Sequence, residues 1–124
     1  MHTQRNIFST VPKQDYLGLI QNLANVPKFL ELEKDDISKA ANIPKSTVRY
    51  DERMPADLKV FLSEIAIVCE LVAGYFDGDV EKTALWFKIE NPVLGGISPR
   101  DMIRYGRFKK LKEFIQSQIE GNIP

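Results

Sequence analysis

Apolar residues recur at helical spacing through most of the chain. In the longest such stretch, residues 58–76, they follow one another every three or four positions and form a stripe wide enough to be buried on more than one side. Shorter stretches with the same period cover residues 13–24, 80–89 and 107–120. No stretch shows the strict alternation that is typical of a strand. The pattern predicts an all-α fold with residues 58–76 as its central helix.

Turn-forming and capping residues separate these helices. Asn25 and Pro27 are predicted to stop the first helix, and Asp77-Gly78-Asp79 is predicted to end the central helix and cap the next one. Residues 1–12 lack periodicity and are expected to form a loose arm, and residues 122–124 a short tail after a C-cap at Gly121.

A helix-turn-helix pattern covers residues 36–50. Ile37, Ala40 and Ala41 would form one apolar face, and Asn42 tolerates the left-handed conformation of a helix end. A second helix would then present side chains that bond phosphates and base edges in the major groove, and the same pattern also fits a helical hairpin whose outer face is solvated. The predicted DNA-binding residues are Lys45, Ser46, Thr47, Arg49 and Tyr50.

Residues 86–103 combine a helix end, a glycine turn and a helix start. Pro92 biases the residue before it away from the helical region, and Gly95-Gly96 permits positive φ angles. Ser98-Pro99 places an N-cap hydroxyl before a proline at the first helical position, and Asp101 follows in the first turn. So much turn chemistry in so few residues predicts a loop of fixed geometry.

Composition places the chain among globular proteins. Its 124 residues are 44% hydrophobic, enough for one domain or two very small ones. Cys69 is the single cysteine, which excludes an intramolecular disulfide and a cysteine zinc site, and its apolar surroundings predict a buried thiol. No signal-peptide pattern and no apolar run near the ~18 residues of a membrane span are present, so a cytoplasmic protein is expected.

The charge distribution keeps nucleic-acid binding open, although the net charge is zero. Residues 39–53 hold four basic and two acidic residues, and residues 100–112 hold six basic residues against Asp101. The chemistry of an enzyme is missing from the sequence: the one histidine, His2, lies in the arm, and no phosphate-binding glycine motif occurs. The sequence therefore predicts neither catalysis nor a cofactor or metal.

The second half resembles the toxin-binding domain of the Xre/MbcA/ParS-type antitoxins, which pair with RES-domain toxins. The resemblance covers residues 54–124 and rests on a Phe-Asp-Gly-Asp corner at residues 76–79, a tryptophan helix, an Asn-Pro-x-Leu-Gly-Gly turn, a Ser-Pro helix start and a final helix that ends in Ile-Glu. Arg100 departs from the family, which has an apolar residue there. The motif residues are Trp86, Asn91, Pro92, Leu94, Gly95, Gly96, Ser98 and Pro99.

The resemblance implies a cytoplasmic bacterial antitoxin that forms a homodimer, represses its own operon and neutralises an NAD-consuming RES-domain toxin. Residues 1–54 would then form the arm and the operator-binding part, and residues 55–124 the part that binds the toxin and dimerises. An acidic tail could enter a basic pocket of the toxin, or it could simply fray in solvent. The implied toxin-binding residues are Arg104, Glu120, Gly121, Asn122, Ile123 and Pro124.

Two other functions remain open at this stage. The chain could be a stand-alone DNA-binding transcriptional regulator whose C-terminal part only dimerises, or a helical adaptor that never contacts DNA. A neighbouring gene that encodes a RES-domain protein would favour the antitoxin.

Overall fold

The prediction of an all-α fold is confirmed. A computed structural model describes residues 11–121, and six α-helices and two short 3-10 turns make up its regular structure. The helices are α1 (Asn25–Leu30), α2 (Lys34–Ala41), α3 (Ala56–Tyr75), α4 (Val80–Lys88), α5 (Pro99–Arg104) and α6 (Phe108–Gly121), and the 3-10 turns are Lys45–Thr47 and Pro92–Leu94.

Helix α3 is the centre of the core, as its wide apolar stripe predicts. Leu58, Leu62 and Ile65 on this helix are fully buried. Helix α6 runs beside α3 in the same direction, because Phe108 at its start stacks edge-on against Phe61, with ring centroids 6.0 Å apart, and Lys112 one turn later pairs with Glu64 at 3.7 Å. The later turns of the two helices therefore also lie side by side. Cys69 is buried in α3, as predicted.

Polar contacts join the first half of the chain to the second. The Arg100 guanidinium donates to the carbonyl oxygens of Leu30 and Glu31 at the end of α1, the second at 2.6 Å. A cation at that position satisfies carbonyl groups that a helix end leaves free. Lys88 pairs with the Glu31 carboxylate at 2.6 Å. Residues from both sides of position 54 thus share one core and these polar links.

The predicted helix over residues 13–24 is wrong. This segment forms successive turns, with Gly18 at φ +70°. The first α-helix of residues 11–121 begins at Asn25, where the predicted helix was expected to end. Pro27 causes no break because it lies in the first turn of α1, where its missing N–H has no helical acceptor. Leu17, Ile20 and Leu23 recur at helical spacing, but the chain forms turns at each of these positions.

A buried carboxyl group of the central helix replaces the missing helical bonds. Glu70 is fully buried and accepts the backbone N–H groups of Leu17 at 3.0 Å and Leu19 at 3.2 Å. Asp15 accepts those of Ile20 and Gln21. Burial, followed by a hydrogen bond to Asp15, raises the pKa of Glu70 from 4.5 to about 7. Burial also acts to raise the pKa of Asp15, but its hydrogen bonds outweigh this and lower it.

We expect the free energy of unfolding to fall as pH rises through 7. The pKa of Glu70 is raised in the folded state, so its proton stabilises the fold fully below pH 4.5, the ordinary pKa of the group. This stabilisation is lost as the pH rises through about 7. The lowered pKa of Asp15 affects the free energy of unfolding in a separate pH range. Its contribution is present above pH 3.8, the ordinary pKa, and is lost as the pH falls below it. Glu70→Gln mimics the protonated acid and should flatten the slope between pH 5 and 8 in thermal melts. An unchanged slope in this variant would contradict the assignment.

The predicted second helix over residues 45–50 is also wrong. After α2 and the left-handed Asn42, both as predicted, the chain makes only the 3-10 turn Lys45–Thr47, and Val48 is already extended at φ −77° and ψ 104°. Pro44 and Pro55 bias the residues before them, Ile43 and Met54, away from the helical region. Residues 42–55, all of them described, therefore contain no recognition helix.

Candidate partner-binding groove

The turn over residues 91–96 has a closed hydrogen-bond network. The Asn91 side chain accepts the Val93 N–H at 3.0 Å, and the Asn91 carbonyl accepts those of Leu94 and Gly96 at 2.9 and 3.0 Å. The Asn91 N–H in turn donates to the Ile97 carbonyl at 3.1 Å, which closes the loop. These bonds define one closed geometry for the predicted turn.

Helix α5 begins with the predicted cap. The Ser98 hydroxyl accepts the Asp101 N–H at 3.0 Å, and Pro99 is the first helical residue. Asp101 pairs with Arg104 at 3.0 Å, and Arg104 also reaches Asp36 on α2 at 3.3 Å. Arg104, an implied toxin-binding residue, therefore joins two helices of its own chain.

Gly95 and Gly96 should resist substitution through backbone strain alone. Both have φ +83°, and a Cβ added to either would meet nothing within 4 Å. Gly95→Ala or Gly96→Ala should each lower the free energy of unfolding by about 1–2 kcal/mol, measured by urea denaturation. Gly121→Ala is the matched control, since Gly121 is helical and also has open space, and alanine there should be neutral or slightly stabilising. Equal costs at all three glycines would refute this account.

This rigid turn forms one wall of an apolar groove. The groove encloses about 280 Å³ between the last turns of α3, the Trp86 side of α4 and the second half of α6. Trp86 is half-buried, with its ring 5.0 Å from that of Phe87. Two amides, Asn91 and Gln118, lie among the lining residues. The apolar lining is Val72, Tyr75, Phe76, Trp86, Val93, Phe114, Ile115 and Ile119.

Two apolar side chains that line the groove are largely exposed. Val93 is 74% exposed and Tyr75 is 66% exposed. The turn thus presents Val93 to solvent. Exposed apolar surface at a groove marks protein interaction sites.

Two of the implied toxin-binding residues at the chain end, Glu120 and Gly121, are described by the structure. Ile119 lines the groove, and Glu120 and Gly121 follow it as the last described helical residues, both exposed. Asn122, Ile123 and Pro124 lie outside the described residues. The sequence pattern did not predict this groove, because nothing in it distinguishes the exposed Tyr75 and Val93 from buried apolar residues.

The predicted DNA-binding residues do not form one face of a helix. Lys45 and Ser46 are exposed on the 3-10 turn, and the Thr47 hydroxyl donates to the Pro44 carbonyl at 2.7 Å. Arg49 makes two bonds to Asp51, at 3.0 and 2.8 Å. The Tyr50 hydroxyl is buried and has no partner among residues 11–121.

A larger cleft of about 660 Å³ adjoins this segment. Its walls include Lys45 and Tyr50. Basic, acidic and apolar side chains make up the rest, among them Lys28, Glu31 and Leu32. The mixture of charges favours neither an anion nor an apolar ligand. The apolar groove is therefore the better candidate site.

No group of three or more metal-ligating side chains occurs within residues 11–121, and no helix there is long and apolar enough to cross a membrane. Comparison of the chain with protein-family profiles, with curated proteins and with solved structures finds no match.

Proposed function

We propose that this chain is an antitoxin that neutralises a RES-domain toxin by binding it directly through the apolar groove. The observation that carries the proposal is the groove itself, walled by the rigid Asn91–Gly96 turn and bordered by exposed Val93 and Tyr75. A rigid turn that holds an apolar side chain in water lowers the entropic cost of binding, because the binding surface is already formed.

The resemblance and the geometry agree on the same part of the chain. The motif residues from Trp86 to Pro99 build the turn, one wall of the groove and the start of α5. Glu120 and Gly121, two of the implied toxin-binding residues, directly follow the groove residue Ile119 at the end of α6.

Co-expression tests this proposal. The chain and a RES-domain toxin should be expressed together, with the affinity tag on the toxin only. We expect restored growth and a complex that survives size-exclusion chromatography, whose mass also tests the implied homodimer. Growth arrest without a complex would overturn the proposal.

The stand-alone regulator depends on the second helix of the helix-turn-helix, which the structure replaces with one 3-10 turn. Operator binding by the free chain can be measured in the same preparations. Tight, salt-dependent binding without toxin neutralisation would favour the regulator.

A further inference from the structure

Two carboxyl groups attach the turns at residues 15–21 to the central helix. Glu70 on α3 accepts the Leu17 N–H with both carboxyl oxygens at 3.0 Å and the Leu19 N–H at 3.2 Å. The Asp15 carboxylate accepts two further N–H groups of the same turns, at 2.9 and 3.0 Å. The side chains of Asp15 and Glu70 are also hydrogen-bonded to each other, which requires a proton on one of them.

Few other contacts hold these turns on α3. The Tyr16 ring lies against Gly74 and Gly78, where an added Cβ would be 3.5 and 2.8 Å from ring carbons. Leu19 is buried, but residues 20–22 are exposed. The turns contain no helix, and every hydrogen bond between the described residues 15–21 and α3 ends on one side chain, that of the buried glutamate.

The surroundings of Glu70 make its proton important. The group is fully buried, and no basic side chain within residues 11–121 forms an ion pair with it. The titratable groups that interact with it are Asp15 in the turns and Cys69 on α3. Burial, followed by the hydrogen bond to Asp15, raises the pKa of Glu70 to about 7 and outweighs the two backbone N–H donors. Loss of the proton leaves a buried carboxylate beside a second one, with no cation to offset either.

We infer that the Asp15–Glu70 pair is a proton-dependent switch that releases residues 15–21 from α3 while the helical core stays folded. Opening the turns hydrates both carboxylates, and it exposes Leu17, Leu19 and the side of α3 that they cover. A segment with so few attachments can open by itself, without unfolding of the helices. The switch goes beyond the proposed function and does not depend on it.

Amide hydrogen exchange followed by NMR at pH 5 and pH 8 tests the switch, with each rate compared with the intrinsic rate at the same pH. We expect the protection of the Leu17 and Leu19 N–H groups to fall at least ~10-fold between the two pH values. At pH 8 it should also lie at least ~10-fold below that of Leu62 and Ile65 in the middle of α3. Protection that does not change with pH would overturn the inference. So would equal protection at all four positions, because the turns would then open only with the whole chain.

A direct titration and two variants complete the test. The carboxyl carbon-13 resonance of Glu70 in the parent chain should titrate near pH 7, together with the loss of protection. Glu70→Gln keeps a neutral hydrogen-bonding side chain and should give the same protection of the turns at both pH values. Glu64→Gln, a matched change on the same helix, should keep the full response. Titration of Glu70 near 4.5, an undiminished response in the Glu70 variant, or loss of the response in both variants would overturn the inference.

Discussion

Replacing Val93 with aspartate should abolish toxin neutralisation and leave the fold intact. Val93 is 74% exposed, so a carboxylate there stays in water in the free protein. In the complex the same carboxylate would be buried against apolar surface, where an unpaired charge costs several kcal/mol. Co-expression of the variant with the toxin should give growth arrest, and its circular dichroism spectrum and melting temperature should match those of the parent protein.

Val60→Asp is the matched control for this experiment. Val60 is 59% exposed and lies on α3, about 18 Å along the helix from the groove residue Val72. The Val60 variant should still neutralise the toxin. Loss of neutralisation in both variants would show that any new surface charge is harmful, and retention in both would remove the groove from the binding surface.

Phe87→Ala should destabilise the chain by about 3–5 kcal/mol, a large part of the total for a domain of this size. Phe87 is fully buried on α4, and its ring makes edge contacts with Phe29 on α1 at 6.2 Å and with Trp86 at 5.0 Å. Alanine would leave a cavity at the point where these elements meet. Urea denaturation followed by circular dichroism measures the loss.

The exposed neighbour on the same helix provides the comparison. Leu85 is 57% exposed, so Leu85→Ala should change the free energy of unfolding by less than about 0.5 kcal/mol. Similar losses at positions 85 and 87 would mean that α4 is oriented differently from the structure described above.

The sequence predicts the second half of the fold well because its local signals and its packing agree. Asp79 caps α4 by accepting the Lys82 N–H at 3.0 Å, and Gly95 and Gly96 take the positive φ angles that their turn requires. At these positions the local preference of the residue, helix capping for aspartate and positive φ for glycine, is also what the tertiary structure requires.

In the first half, tertiary contacts override the local pattern. The residues at 13–24 have helical spacing, but Glu70, more than fifty positions away, accepts the backbone N–H groups of Leu17 and Leu19. Local sequence patterns do not predict that a buried glutamate on a distant helix accepts the hydrogen bonds of these turns. Arg100 is a similar case, since its acceptors at Leu30 and Glu31 lie about seventy positions away.

The candidate site is predictable only in part. The turn could be derived from Asn91 to Gly96, but the groove requires α3, α4 and α6 to converge, and the outward position of Val93 depends on that arrangement. The predicted DNA-binding surface was wrong for a related reason: Lys45 to Tyr50 have suitable side chains, but the backbone is extended after the 3-10 turn Lys45–Thr47 and forms no recognition helix.

Hydrogen–deuterium exchange of the chain, free and bound to its toxin, tests the central claim most directly. The groove account predicts that binding slows exchange at the end of α3, across residues 91–94 and in the last two turns of α6, and leaves residues 45–53 unchanged. If exchange slowed at residues 45–53 and did not change around the groove, the account would be contradicted, and the partner would bind at residues 45–53.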